Sequence, residues 1–312
     1  MLIELRHPVD RDDDPIALRD QVVLFDIRLP RLAMGVMVGA ALAVSGALMQ
    51  GLLRNPLADP GLMGVGAGAG LGAVLAIVLG GLMPANLSAT IGAHLVPLAA
   101  FLGGWGATIV LYALASRQGR TSVATVLLAG IALGALAGAA TGILIYLADD
   151  RQLRDLTFWG MGSLGGASWQ KVALAAPLIL PVLLLSPLLA QGLNGLALGE
   201  AAALHSGIEV ERIKRLTILS VAAATGAAVA VAGGIGFIGI VVPHLLRLAI
   251  GPDHRFLLPN AALLGAVLLL GADIIARLVV VPAELPIGIV TAVLGARVFL
   301  YILLRSRGIL DL

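Results

Sequence analysis

Cysteine is absent from the 312-residue chain, which excludes disulfides and thiolate metal sites. Charge is scarce as well. Only 12% of residues are charged, 20 basic and 18 acidic, against about 25% in an ordinary soluble domain. With 59% hydrophobic residues, that scarcity excludes a soluble globular enzyme and a disordered chain. A net charge of +2 excludes the basic face that nucleic-acid binding requires. Lysine occurs twice, at Lys171 and Lys214, after Gln170 and Ile213. A phosphate-binding P-loop needs Gly-Lys-Ser/Thr, so this chain does not hydrolyse ATP itself. Six Phe, three Trp and three Tyr make only thin aromatic belts. Glycine is the exception, with forty residues, a usage that lets helix backbones approach closely in lipid.

What is present is a polytopic membrane protein. Residues 1–31 hold twelve charges, including Asp12-Asp13-Asp14, and residues 32–116 hold two, Arg54 and Asp59. Residues 1–27 read as a polar extramembrane segment without the apolar core of a signal peptide. Nine apolar runs follow, at 30–50, 60–81, 92–115, 124–147, 169–190, 215–233, 237–251, 257–280 and 286–304. The run at 237–251 is short and contains Pro243. The charged, Gly-rich stretch 148–168 is too polar to span and fits a short re-entrant or interfacial helix. An odd number of spans places the termini on opposite sides. Lys and Arg in short loops set the orientation. A cytoplasmic side holding loops 51–59, 116–123, 191–214 and 252–256 and the C-terminus carries Arg54, Arg117, Arg120, Arg212, Lys214, Arg215, Arg255, Arg305 and Arg307. The opposite face carries fewer: Arg28, Arg31, Arg151, Arg154, Lys171 and Arg277.

The glycines have register. Gly130, Gly134, Gly138 and Gly142 form one ridge, Gly64, Gly68 and Gly72 a second, and Gly35 and Gly39 one further step. Such ridges serve tight packing inside the chain, a subunit interface or a path lined by small residues. Residues 31–72 and 215–270 share a plan of helix, Pro-containing polar turn and helix, the outline of an inverted repeat.

Ionisable residues in or beside the spans are few: Asp273, Arg277, Glu284 and Arg297. Asp273 and Arg277 lie one turn apart and can pair, and Glu284 stands at the turn into the last span. These read as helix-end anchors, not as the buried carboxylates of a proton relay. The five histidines, His7, His94, His205, His244 and His254, form no metal-ligand spacing; a structural role for His244 is set against a haem contact. In the polar loop 191–215, Gly199 stops one short element, Glu200–Ser206 can form a short helix with Glu200 at its positive N-terminus, and Gly207 ends it. Such a knob suits docking of a cytoplasmic partner; a solvated connecting loop is the alternative.

Several motifs in order carry a resemblance. They are Ile27-Arg28-Leu29-Pro30-Arg31 through Gly39 to Gly46, Gln50, Asn55-Pro56-Leu57-Ala58-Asp59-Pro60-Gly61, Leu198-Gly199-Glu200, Gly236-Phe237-Ile238-Gly239 with Pro243-His244, Asp253-His254-Arg255, and Glu284-Leu285-Pro286-Ile287-Gly288. Over about residues 27–308 the chain resembles the permeases of iron-chelate and vitamin B12 ABC importers. The resemblance implies an all-α transmembrane bundle of the type II ABC importer permease kind in a bacterial inner membrane. Charge and loop topology make 1–27 a polar periplasmic segment ahead of a permease domain at 28–308. The resemblance also implies a second copy of the chain, two cytoplasmic ATPase subunits that bind ATP and Mg, and a periplasmic substrate-binding protein, with no cofactor on this chain. Arg28, Arg31 and Arg277 match arginines that bridge to glutamates of the binding protein. Gly199, Glu200, Ala201, Ala202, His205 and Gly207 match the coupling helices seated in the ATPase. Asn55 and Leu57 match a cytoplasmic constriction. A second constriction uses a Ser/Thr pair; here Val123 and Ala124 stand at those positions, beside Thr121, Ser122 and Thr125. The family has ten helices, and the one missing here points to a late start or a lost segment. The phrasing of 27–80, such as Phe25-Asp26-Ile27-Arg28-Leu29-Pro30-Arg31, is nearest the haem importers, with ferric siderophores and cobalamin open. An ion-driven carrier and a structural subunit without a pathway are the rival readings.

Overall fold

A computed structural model describes residues 15–117 and 120–310. Of the expected N-terminal segment, residues 1–14, with Asp12-Asp13-Asp14, lie outside the described part. The rest of that segment is helical: α1 (Pro15–Val22) passes through a π-helical turn (Val23–Arg28) into α2 (Leu29–Leu53). Then come α3 (Val65–Leu79), α4 (Ala85–Ala115), a minimal hairpin of β1 (Ser116–Arg117) and β2 (Arg120–Thr121), and α5 (Val123–Leu147). α6 (Asp150–Gly160), α7 (Trp169–Leu185), α8 (Ala190–Ala197) and α9 (Glu200–His205) follow. The chain closes with α10 (Val210–Ala232), α11 (Ile238–Ile250), α12 (His254–Leu278) and α13 (Ile287–Leu310).

Lipid leaves a spanning backbone no partner but itself, so each long apolar run becomes a helix. Prolines inside α4, α7, α11 and α12 are accommodated by neighbouring helices. Among the described residues seven helices are long and apolar enough to cross a membrane, and Ile238–Ile250 is shorter. All nine expected runs are thus helical, and of them α11 is too short to span unaided. α11 is short because the chain breaks at 233–237, leaving 13 residues, about 20 Å of helix. The break also separates α10 from α11 inside the second half of the sequence echo, so the two halves do not correspond helix for helix.

Helix ends follow local chemistry. The Ser122 hydroxyl accepts the Thr125 N–H to start α5. Asp149 and Gln152 form a reciprocal capping box on α6, the short polar helix expected between 148 and 168. Gly199 (φ 106°) and Gly207 (φ 80°) bracket α9 in backbone conformations that side-chain-bearing residues rarely adopt.

α2 is the central helix; from Met37 to Leu53 it is buried throughout, against α7, α10, α11 and α12. Close approach depends on glycine. A Cβ on Gly39 or Gly46 would run into the backbone of Gly265 or Gly239, and one on Gly68 or Gly72 into α4. Two of the three glycine ridges are therefore spent on packing within the chain. On α5, Gly64 packs near Gly130, but Gly134, Gly138 and Gly142 have open space beside them. At one end of the bundle three strands of irregular chain are sewn together by main-chain bonds. Ser163 N–H donates to Ala232 (2.8 Å), Ile287 N–H to Gly162 (3.1 Å) and Gly288 N–H to Met161 (3.0 Å).

Candidate functional site

The residues singled out from the sequence collect at the two ends of the bundle. At one end the start of α2 meets the end of α12 and the loop before α13. Arg31 directs its Nη1 and Nη2 to the two Glu284 oxygens, both at 2.9 Å, and its Nε and Nη2 to Asp273, at 2.8–3.1 Å. Both edges of the guanidinium fork are occupied, the arrangement in which arginine binds carboxylates best. Side-chain exposure grades across the cluster: Asp273 5%, Arg31 14%, Glu284 45%. Arg277 adds its Nε at 3.3 Å to Asp273, one turn away on α12, which is the pairing expected from their spacing. Arg31 hydrogen bonds and the charge of Arg31 and Arg277 outweigh partial burial and hold the Glu284 carboxyl below its ordinary value. Arg28 is exposed at the same end, without an ion pair among the described residues. The three arginines taken together from the sequence thus share one end but not one state: Arg28 faces outward, Arg277 is half-buried, and Arg31 is engaged inside the chain. Nearby, the Trp169 indole donates to the Phe25 carbonyl at 2.8 Å and ties α7 to the π-helical turn.

The opposite end holds the other candidates, and their contacts put the loops assigned to one side of the membrane together. The Arg54 side chain lies near Gly199. Asn194 of α8 donates to Asp253 at 2.7 Å and accepts the His254 N–H at 3.0 Å. Arg255 and Asn194 hydrogen bonds to the Asp253 carboxylate hold it far below the usual carboxylate range. Asn55 and Leu57 are exposed just beyond α2, where the Asn55 Oδ1 accepts the Leu57 N–H at 2.9 Å. On α9, Ala201, Ala202 and His205 are exposed, as is Gly207 beyond its end, and only Ala203 faces the core.

Glu200 and Thr121, singled out separately, are joined by a residue whose sequence context marked it only as one positive charge. Lys214 is buried in α10, its side chain 3% exposed. Its Nζ donates to Glu200 Oε2 (2.8 Å), Glu211 Oε1 (3.1 Å) and the Thr121 carbonyl (2.8 Å). Glu211 Oε2 in turn accepts the Thr121 N–H at 2.8 Å. The i, i+3 spacing of Glu211 and Lys214 was the one sequence signal for this cluster. Of the hydroxyl residues near the expected constriction, Thr121 pairs with Ser116 at 3.0 Å and Ser122 caps α5. Between the two ends, a cavity of about 390 Å³ lies beside the 233–237 break, lined by Leu42, Asp59, Trp159, Thr225 and Phe237 among others.

Comparison with known proteins decides the family. The model of the FecCD transport family matches residues 12–305. The chain belongs to the FecCD transport family. The hemin transport system permease protein HmuU of Yersinia pestis is 50% identical over 285 residues, 91% of this chain and 84% of that protein. The vitamin B12 import system permease protein BtuC of Klebsiella pneumoniae is 46% identical over 297 residues, 94% of this chain and 86% of that protein. A solved chain from an inward-facing metal-chelate type ABC transporter superposes with a TM-score of 0.84 at 32% identity, covering 94% of this chain and 89% of that one. The chain is thus a multi-pass, helical permease of the FecCD transport family.

Proposed function

We propose that this chain is the membrane permease subunit of an ABC importer in a bacterial inner membrane, carrying haem from periplasm to cytoplasm. The similarity to a hemin transport permease, 50% identical across 91% of the chain, carries the choice of cargo. In this reading two copies form the pathway, with α5 and α13 lining it. The Gly134, Gly138 and Gly142 ridge, beside which a Cβ would find open space among the described residues, supports a role for α5 beyond internal packing. A wide path lined by small residues suits a large planar cargo better than an ion filter does.

The Arg28, Arg31 and Arg277 end receives an acidic substrate-binding protein, and Arg28 supplies the outward-facing charge. α9, from Glu200 to His205, seats in a cytoplasmic ATPase subunit, where ATP and Mg bind; the chain itself carries no cofactor. Nucleotide-driven motion of α9 opens and closes the exposed Asn55–Leu57 turn and the Thr121–Thr125 segment. A cobalamin cargo is the second reading, favoured by the 46% identical vitamin B12 permease.

Uptake into proteoliposomes tests both. The permease is assembled with its ATPase and binding protein and offered haem and cobalamin in parallel, with and without ATP. ATP-dependent haem uptake is the expected result. Cobalamin uptake instead overturns the cargo and keeps the class. Uptake without ATP or partners overturns the class.

A further inference from the structure

We propose that Lys214 is the positioning residue through which α9 controls the start of α5. The inference rests on the reading of α9 as the ATPase contact. An ammonium has three N–H donors, and here each finds an acceptor on a different element. Glu200 belongs to α9, Glu211 to α10 itself, and the Thr121 carbonyl to strand β2. The Lys214–Glu211 pair also holds both backbone groups of Thr121, since Glu211 accepts its N–H. A two-residue strand pair is not stable by itself. The hairpin is therefore held by this clamp, and the residue after Thr121 is Ser122, the cap of α5. Glu200 sits at the first position of α9, and the glycines on either side of the helix, Gly199 and Gly207, both have positive φ. That short helix can tilt on its two glycines, and a tilt pulls on Glu200.

Burial keeps the linkage from breaking. The Lys214 side chain has almost no solvent to exchange its partners for, whereas both carboxylates are partly exposed, Glu200 42% and Glu211 37%. A displacement of Glu200 therefore either drags the ammonium and Thr121 with it or leaves a buried charge short of a partner. The motion favours the first outcome, so the register of α5 follows α9.

Lys214→Met keeps the length and apolar stem of the side chain and removes the charge. In the fully assembled transporter, substrate uptake and ATP hydrolysis are measured together. The expected result is hydrolysis still stimulated by the loaded binding protein, with uptake down about tenfold, so that ATP spent per substrate rises by that factor. Lys214→Arg restores most of the coupling. A merely structural role would lower both rates in proportion, and that result overturns the proposal, as does an ATP-to-substrate ratio unchanged in Lys214→Met.

If Lys214→Met fails to assemble, Glu211→Gln provides the test, since it weakens the grip on Thr121 without emptying the site. The chain has no cysteine, so Leu128→Cys, on the exposed face of α5, gives a single label per protomer without removing the helix cap. The distance between the two labels should change with ATP in the parent and change little in Glu211→Gln; an equal change in both overturns the proposal. The underlying reading of α9 is checked apart, with Ala202→Arg on its exposed face. Unchanged ATPase binding by that variant removes α9 from the interface and is distinguishable from a coupling ratio that does not move.

Discussion

Two cations organise the two ends of this permease, and they do so differently. Arg31 presents a flat fork with both edges used, locking α2 to α12 and to the loop before α13. Lys214 is a point charge that gathers a carbonyl and two carboxylates from three elements. The Arg31 end balances two arginines against Asp273 and Glu284. The Lys214 end sets one lysine against two carboxylates. A planar, directional donor suits a fixed register, because its bonds hold in only one orientation. A compact ammonium keeps its partners while the directions to them change, which suits a joint that moves. The contrast places rigidity at the Arg31 end, proposed to receive the binding protein, and articulation at the Lys214 end, proposed to meet the ATPase.

The hardest test of that contrast is removal of the buried anion at the rigid end. Asp273→Ala leaves Arg31 buried with only the half-exposed Glu284. Loss of one partner of a buried pair costs about 3–5 kcal/mol, so the melting temperature of the purified protein should fall by several degrees or the protein should fail to accumulate. A shift of less than a degree would mean that the end is not held by this clamp.

The next test exchanges the two cations. Arg31→Lys retains charge and loses the fork, and should cost about 1.5–3 kcal/mol through the charged hydrogen bonds given up. Lys214→Arg should cost less, because Lys214 makes point contacts and not paired ones. Equal melting-temperature losses in the two variants would remove the distinction between fork and joint.

Glu284→Gln should be milder still. Its carboxylate is close to half exposed, so its loss should cost about 1 kcal/mol or less. Docking moves the other way. With Glu284 neutral, Arg31 has one fewer competitor for an incoming carboxylate, and affinity for the binding protein should rise about threefold. A fall in affinity would show that Glu284 orients Arg31 for docking and does not compete for it.

These clusters also mark where sequence reading stops. The long apolar runs were legible because lipid permits few backbone solutions, and the short α11 was foreshadowed by its length and Pro243. The knob at 199–207 was legible because Gly199 and Gly207 bracket a short helix-forming segment. The glycine ridges were visible as ridges, but their partners were not: Gly39 meets Gly265 and Gly72 meets α4, while Gly138 faces open space among the described residues. Arg31 is 242 residues from Asp273 and 253 from Glu284, and no periodicity spans such a distance. Lys214 was legible as one positive charge in a short loop. That it gathers Glu200 and Thr121 follows only from how α9, α10 and the hairpin pack.

The smallest expected effect is the acid dependence of the rigid end. Arg31 holds the Glu284 carboxyl below its ordinary value of 4.5, with Arg277 assisting. A carboxylate with a depressed folded value stabilises the fold above its unfolded value, and that contribution disappears as pH falls through the folded one. The melting-temperature difference between the parent and Glu284→Gln should therefore be constant from pH 7 down to about 5, then shrink as acid protonates the group. Binding-protein affinity carries the matching sign: protonating Glu284 frees one edge of Arg31, so acid should raise the parent toward the variant. A stability difference that already narrows between pH 7 and about 5 would mean that Glu284 titrates near or above its ordinary value. Arg31 would then be held by Asp273 alone, and the rigid end would rest on one carboxylate and not two.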